Sequence, residues 1–273
     1  MVVPASVGVY GGGRMGAGIA HAFALAGSTV TIVETEAAAD AARARVEKSL
    51  AKAAEKGIAI HGTVEVVTDP ALLTSASLVV EAVPELVELK QAVLATIARS
   101  APQALIGTNT SSLSIDVLAQ ALPDPSVLIG LHFFNPVPAS DLVEVVVGRR
   151  TPPALVEQAR EWVRGLDKHA ITVQDSPGFA SSRLGVAIAL EAMRMVEEGV
   201  ASAEDIDSAM TLGYRHPVGP LRTTDLVGLD VRLAIAEHLE RELGPRYAPP
   251  RLLRDKVAAG ELGRKTGKGF YEW

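Results

Sequence analysis

The chain has 273 residues, 48% hydrophobic and 21% charged, which is the balance of a soluble globular protein long enough for two domains that each bury a core. Its 32 acidic and 26 basic residues give a net charge of −6, which argues against a general nucleic-acid or anionic-membrane binder. Zero cysteines exclude disulfides, thiolate metal ligands and cysteine nucleophiles and fit a reducing cytoplasm, and none of the six scattered histidines has metal-site spacing.

In chain order, the apolar runs SVGVY, TVTIV, LVVEAV, ALIGTN, VLIGLHF and LVEVVVG have strand length and are rich in β-branched residues. Stretches of helical composition such as MGAGIAHAFALAG and AADAARARVEKSLAKAAEKG separate the first of them. Strand–helix–strand alternation predicts an α/β fold with a Rossmann-like, doubly wound parallel sheet. From residue 177 the pattern changes to LGVAIALEAMRMVEEG, AEDIDSAMTLG, DLVGLDVRLAIAEHLERELG and PRLLRDKVAAGEL, punctuated by Gly and Pro. The expected organisation is therefore an α/β domain over residues 1–176 and an all-α helical C-terminal domain over 177–273. No apolar stretch reaches membrane-spanning length, and the N-terminus lacks the basic segment of a signal peptide.

The first strand runs into GGGRMGAGIA, where Gly11, Gly13 and Gly16 form G-x-G-x-x-G with Arg14 and Met15 between the last two glycines. Such glycines permit a tight turn and a close backbone approach, so that a pyrophosphate rests on the next helix N-terminus. The second strand ends at Glu34, where a carboxylate accepts ribose hydroxyls and repels a 2′-phosphate. The combination points to NAD as the cofactor, preferred over NADP.

Four further stretches, EAVPELVELK (81–90), TNTSSLSI (108–115), GLHFFNPVPASDLVEVV (130–146) and DSPGFASSRL (175–184), together with the C-terminal GRKTGKGFYEW, fall in collinear order along nearly the whole chain. On these residues the chain resembles the L-3-hydroxyacyl-CoA dehydrogenase family, which includes 3-hydroxybutyryl-CoA dehydrogenases. The resemblance implies a Rossmann-like domain followed by a helical domain that forms a homodimer interface. It also implies oxidation of an acyl-CoA thioester substrate, with NAD.

His132 follows a strand and so lies at the carboxyl edge of the sheet, where doubly wound folds bind ligands. Its imidazole suits proton removal from a 3-hydroxyl. Glu144, 12 residues on and across the PVPASD turn, is the expected partner that fixes its tautomer. The resemblance assigns Ser111 to the substrate C3 oxygen and the nicotinamide end of the cofactor, although Thr110, Ser111 and Ser112 also suit helix capping. It assigns Asn135, Glu85, Lys90 and Lys265 to the cofactor. Against this, Asn-Pro starts turns, a first-turn Glu suits a helix dipole, and Lys265 reads equally as a solvated tail lysine. Ser49 and Lys56 share a helix face with Lys52 and match coenzyme A contacts, while spacing alone describes a solvated face.

The chain departs from the family pattern at Ser182, where an asparagine usually precedes the arginine, and at Ser140-Asp141 between PVP and LVEV. Serine donates and accepts a hydrogen bond but is shorter, so a water bridges; either it serves with an altered acyl-chain preference or turnover on ordinary short-chain substrates is slow. The expected activity is reversible, NAD-dependent oxidation of (S)-3-hydroxyacyl-CoA to 3-ketoacyl-CoA, with His132, Glu144, Ser111 and Ser182 as the catalytic set. Two other readings stand beside it: a dehydrogenase of a small free hydroxy acid, and an NAD-binding protein without turnover, which Ser182 alone favours.

Overall fold

The structure is a computed structural model that describes residues 3–273. The chain divides into two compact units, the first ending at Ser176 and the second running Pro177–Trp273. Among the described residues, no helix is long and apolar enough to cross a membrane.

The first unit is an eight-stranded sheet with helices on its faces. In chain order it contains β1 (Ser6–Tyr10), α1 (Arg14–Leu25), β2 (Thr29–Val33), α2 (Glu36–Glu55), β3 (Thr63–Val67), β4 (Leu78–Glu81), α3 (Val87–Ser100) and β5 (Leu105–Thr108). The short α4 (Ile115–Leu118), β6 (Leu128–Phe133), β7 (Leu142–Val147), α5 (Pro153–Gly165) and β8 (His169–Gln174) complete it. The strand order is β3-β2-β1-β4-β5-β6-β7-β8. Chain direction across the sheet reverses its winding between β1 and β4, the switch point at which such sheets bind ligands.

The expected Rossmann-like, mostly parallel sheet is present, and within it one pair differs: β7 runs antiparallel to β6, while β8 is again parallel to β7. Residues 134–141 are too short a connection for the helical crossover that a parallel return needs. Strands β3 and β8, absent from the predicted runs, are the sheet's two edges, and their half-exposed burial patterns explain the weaker apolar signal. Centrally, β4 and β6 are buried throughout, as strands covered on both faces must be. Helix α1 packs Ile19 and Phe23 against Val7, Val9, Val30 and Ile32 of the sheet. Helix α5 starts with Pro at its first position and buries Leu155, Ala159, Trp162 and Val163, one apolar stripe.

The second unit contains α6 (Ser181–Glu197), α7 (Ala203–Ser208), α8 (Pro220–Val227), α9 (Leu229–Leu243) and α10 (Arg251–Ala258) around a core that includes Val186, Leu190, Met193, Leu221, Leu229, Leu239 and Leu253. The segment DLVGLDVRLAIAEHLEREL, read as one helix, is two: Gly228 separates α8 from α9 with φ +110°, a backbone that only glycine adopts cheaply. The C-terminal FYEW is tied to the helices by Asp225, which is 1% exposed and accepts hydrogen bonds from Phe270 N, Tyr271 N and Trp273 Nε1. Asp207 accepts from Tyr271 Oη at 2.7 Å and from the first-turn amides of Leu221 and Arg222 in α8.

Candidate active site

The carboxyl ends of β1, β2, β4, β5 and β6 bring most of the expected residues of the first unit to one edge of the sheet. The three glycines after β1 differ in what they do. Gly11 has φ +103° and makes the turn. A Cβ on Gly13 would have nothing within 4 Å, so the backbone there is open to a ligand, whereas one on Gly16 would stand 1.8 Å from the Gly11 carbonyl oxygen. No side chain caps the N-terminus of α1, so the amides that follow, including those of Arg14 and Met15, stay directed at whatever lies beyond it. Glu34, at the end of β2, accepts from Gly12 N at 2.8 Å and Thr35 N at 2.7 Å, one bond to each carboxylate oxygen. Each oxygen keeps a further lone pair for a ribose hydroxyl. The glycine loop, the uncapped helix and the placed acid fit a dinucleotide.

His132 and Glu144 are direct partners across the antiparallel pair β6 and β7, which puts both side chains on one face of the sheet. His132 Nδ1 lies 2.7 Å from Glu144 Oε2; the carboxylate shows no exposure and the imidazole 8%. A carboxylate can only accept here, so Nδ1 is the donor of this bond. Phe134 packs its ring against His132 with centroids 4.5 Å apart, so the second aromatic of HFFNP holds the imidazole while Phe133 is buried in the core. Asn135 is exposed on the turn that follows. Lys168 closes that turn from beneath, its Nζ donating to Val137 O at 2.8 Å and Ser140 O at 2.6 Å.

Glu85 organises the loops after β4 and β5. Its Oε1 accepts from Thr110 Oγ1 at 2.6 Å, Ser111 N at 2.7 Å, Ser111 Oγ at 3.1 Å and Ser112 N at 2.9 Å. Burial alone would raise its pKa, but Lys90 and these donors outweigh burial and hold the carboxyl below its ordinary value. Lys90, expected at the cofactor, is 1% exposed and spends its ammonium on Glu81 at 2.7 Å, Val83 O at 3.1 Å and Glu85 at 3.4 Å. Glu81, wholly buried, also accepts from Thr108 Oγ1 at 2.6 Å. Glu81 and Thr108 open two of the stretches quoted above but carry no role there, and the clamp by Lys168 has no motif at all. The hydroxyls at 110–112, which suit helix capping, do not cap the helix that follows. Ser114 instead caps the single turn of α4, and Thr110 accepts from Leu113 N.

On α2, Ser49 Oγ is 3.0 Å from Nδ1 of His21, a buried residue of α1, and Lys56 ends the helix exposed to solvent. Burial, then the cation of Lys168, lowers the pKa of His21, which keeps its ring neutral beside Ser49. In the second unit, Ser182 occupies the first turn of α6 and is half-buried. Lys265 lies on a short turn, Arg264–Thr266, and makes two contacts of 2.6 Å with the carboxylate of Asp230.

Comparison with known proteins gives two family matches that together span nearly the whole chain. Residues 6–176 match the 3-hydroxyacyl-CoA dehydrogenase NAD binding domain, and residues 178–273 match the 3-hydroxyacyl-CoA dehydrogenase C-terminal domain. A 3-hydroxybutyryl-CoA dehydrogenase of Mycobacterium tuberculosis is 42% identical, with 98% of each chain covered. The human mitochondrial hydroxyacyl-coenzyme A dehydrogenase is 37% identical over 100% of this chain and 92% of its own. The crystal structure of (S)-3-hydroxybutyryl-CoA dehydrogenase PaaH1 from Ralstonia eutropha superposes with a TM-score of 0.93 at 38% identity, covering 99% of both chains.

Proposed function

Because the chain belongs to the 3-hydroxyacyl-CoA dehydrogenase family, whose reaction is NAD-dependent oxidation of a 3-hydroxyacyl-CoA, we propose that His132 is its acid/base and that Glu144 holds that imidazole in its working tautomer. The observation that carries this reading is the 2.7 Å contact between His132 Nδ1 and a Glu144 carboxylate buried from water. In the forward direction the 3-hydroxyl proton passes to His132 Nε2 while the C3–H bond breaks and the C3–O bond becomes a carbonyl. NAD, when bound, accepts the hydride that leaves C3. The imidazolium formed at His132 is stabilised by Glu144, whose charge counts for more in a dry site than in water. In the reverse direction the same Nε2–H protonates the developing alkoxide.

Ser111 donates a hydrogen bond to the C3 oxygen, and the shorter Ser182 reaches it through a bridging water. Gly11, Gly13 and Gly16, with the amides of Arg14 and Met15, hold the pyrophosphate. Glu34 takes the adenosine ribose, and Glu85, Asn135 and Lys265 serve the nicotinamide half. Lys90 acts on the cofactor only through Glu85, since its own ammonium is enclosed. Ser49 and Lys56 meet coenzyme A, the lysine as a cation for its phosphates. The four-carbon (S)-3-hydroxybutyryl ester is a substrate on the strength of the relatives named above, and zero cysteines suit work in the reducing cytoplasm.

The pH dependence of kcat in wild type and Glu144→Gln tests the pairing. Glutamine keeps the shape and removes the charge, so kcat falls on the order of 10²- to 10⁴-fold and its pH profile changes. An unchanged profile with wild-type kcat refutes the role of Glu144.

A further inference from the structure

In α9 the buried positions are Leu229, Arg232, Ala236 and Leu239, the spacing of a core-facing stripe with an arginine where an apolar residue belongs. Arg232 is 8% exposed, its Nε has no hydrogen-bond partner, and among the described residues no carboxylate forms an ion pair with it. Loss of water is the sole influence on the guanidinium, and it pushes the pKa down to about 10. A buried cation without a counter-charge is among the costliest things a core can hold, so its persistence points to an anion that arrives from outside the chain.

The surroundings indicate where that anion lies. A Cβ on Gly185 of α6 would stand 3.3 Å from Arg232 Nη1 and 3.8 Å from Nη2, so the absence of a side chain at 185 keeps the guanidinium uncrowded. Gly185 follows Ser182 by three residues, one turn along the same side of α6. A chain that starts at Ser182 and runs three residues along the helix covers about 4.5 Å, the reach of a short run of methylene groups, and ends beside Arg232.

We propose that Arg232 receives a carboxylate at the far end of the acyl chain, making 3-hydroxyacyl-CoA esters of dicarboxylic acids the preferred substrates. The inference rests on the reading that Ser182 meets the C3 oxygen. The guanidinium offers a planar, two-pronged donor that matches a carboxylate and a methyl group does not. This adds a second recognition point on the helical unit, beyond the C3 oxygen itself.

The test measures kcat/KM with NADH for two six-carbon esters, 3-ketoadipyl-CoA and 3-ketohexanoyl-CoA, on the full-length wild type, Arg232→Met and Arg232→Lys. Wild type is expected to favour the carboxylate-ended ester on the order of 100-fold, the scale on which a site with buried donors rejects an analogue that leaves them unpaired. Arg232→Met is expected to lose most of that preference, and Arg232→Lys to retain part of it. Arg232→Met is also expected to melt at a higher temperature, because it removes an uncompensated buried charge. A wild type that uses the methyl-ended ester equally well or better overturns the proposal, whatever the variants do. Equal losses on both esters, or a loss of dimer mass in Arg232→Met without any ester preference, overturn it too. A wild type that reduces neither ester defeats the dehydrogenase reading itself, and is thereby distinguished from one that reduces only the methyl-ended ester.

Discussion

Ser111 shares the carboxylate of Glu85 with Thr110 and Ser112, so removing its hydroxyl leaves the other donors of the loop in place. Ser111→Ala is therefore expected to lower kcat by about 10²- to 10³-fold, the range for one lost donor to a developing oxyanion, while the melting temperature barely moves. Steady-state kinetics with a melting curve on the same sample separate the two effects. Ser182→Asn is expected to raise kcat on 3-hydroxybutyryl-CoA, because the longer carboxamide reaches the C3 oxygen without a water; a fall would mean that the serine is adapted to another chain. At this scale the sequence was most readable where chemistry repeats a spacing. His132 and Glu144 stand 12 residues apart and face each other across two strands. It was least readable where a charge turns inward. Nothing in PELVELK tells an inward lysine from an outward one, so Lys90 read as a cofactor contact although it lies beneath Glu85. Arg232 has no signature at all, since periodicity cannot reveal a cation in an apolar stripe.

The loops that follow β4 and β5 depend on one buried ionic cluster, Glu81–Lys90–Glu85. Lys90→Met strands a wholly buried carboxylate and is expected to destabilise the protein by about 3–5 kcal/mol, read from denaturant unfolding. Glu85 adds a pH dependence of known sign. Its folded pKa is depressed, so its stabilisation is present above the ordinary carboxylate range and is lost as pH falls through the folded value. Glu85→Gln should flatten the stability curve below about pH 5, and an unchanged acid limb contradicts the assignment. Among the elements, the six predicted strands exist, while the two edges, β3 and β8, were hidden because an edge strand alternates with solvent. The reversal of β7 follows from the short PVPASD connection, and it is this hairpin that sets His132 opposite Glu144. The break at Gly228 escaped notice because a single glycine inside a helical pattern is compatible with a continuous helix.

For the molecule as a whole, the helical unit exposes Leu184 at 63% and Ile188 at 38% on α6, with Val227 and Val231 exposed on α8 and α9. We propose that a second copy covers such residues in a homodimer. Sedimentation equilibrium is expected to give twice the chain mass, and Leu184→Glu with Ile188→Glu to return it to the monomer value; a wild-type monomer at micromolar concentration contradicts this. We propose that a thioester, and not a small free hydroxy acid, is oxidised at His132. The most direct test compares NAD reduction by (S)-3-hydroxybutyryl-CoA and by free (S)-3-hydroxybutyrate, in wild type and His132→Ala. The account predicts turnover of the thioester, little or none of the free acid, and a loss on the order of 10²- to 10⁴-fold in the variant. Equal use of the free acid, or a thioester rate that survives in His132→Ala, would contradict it.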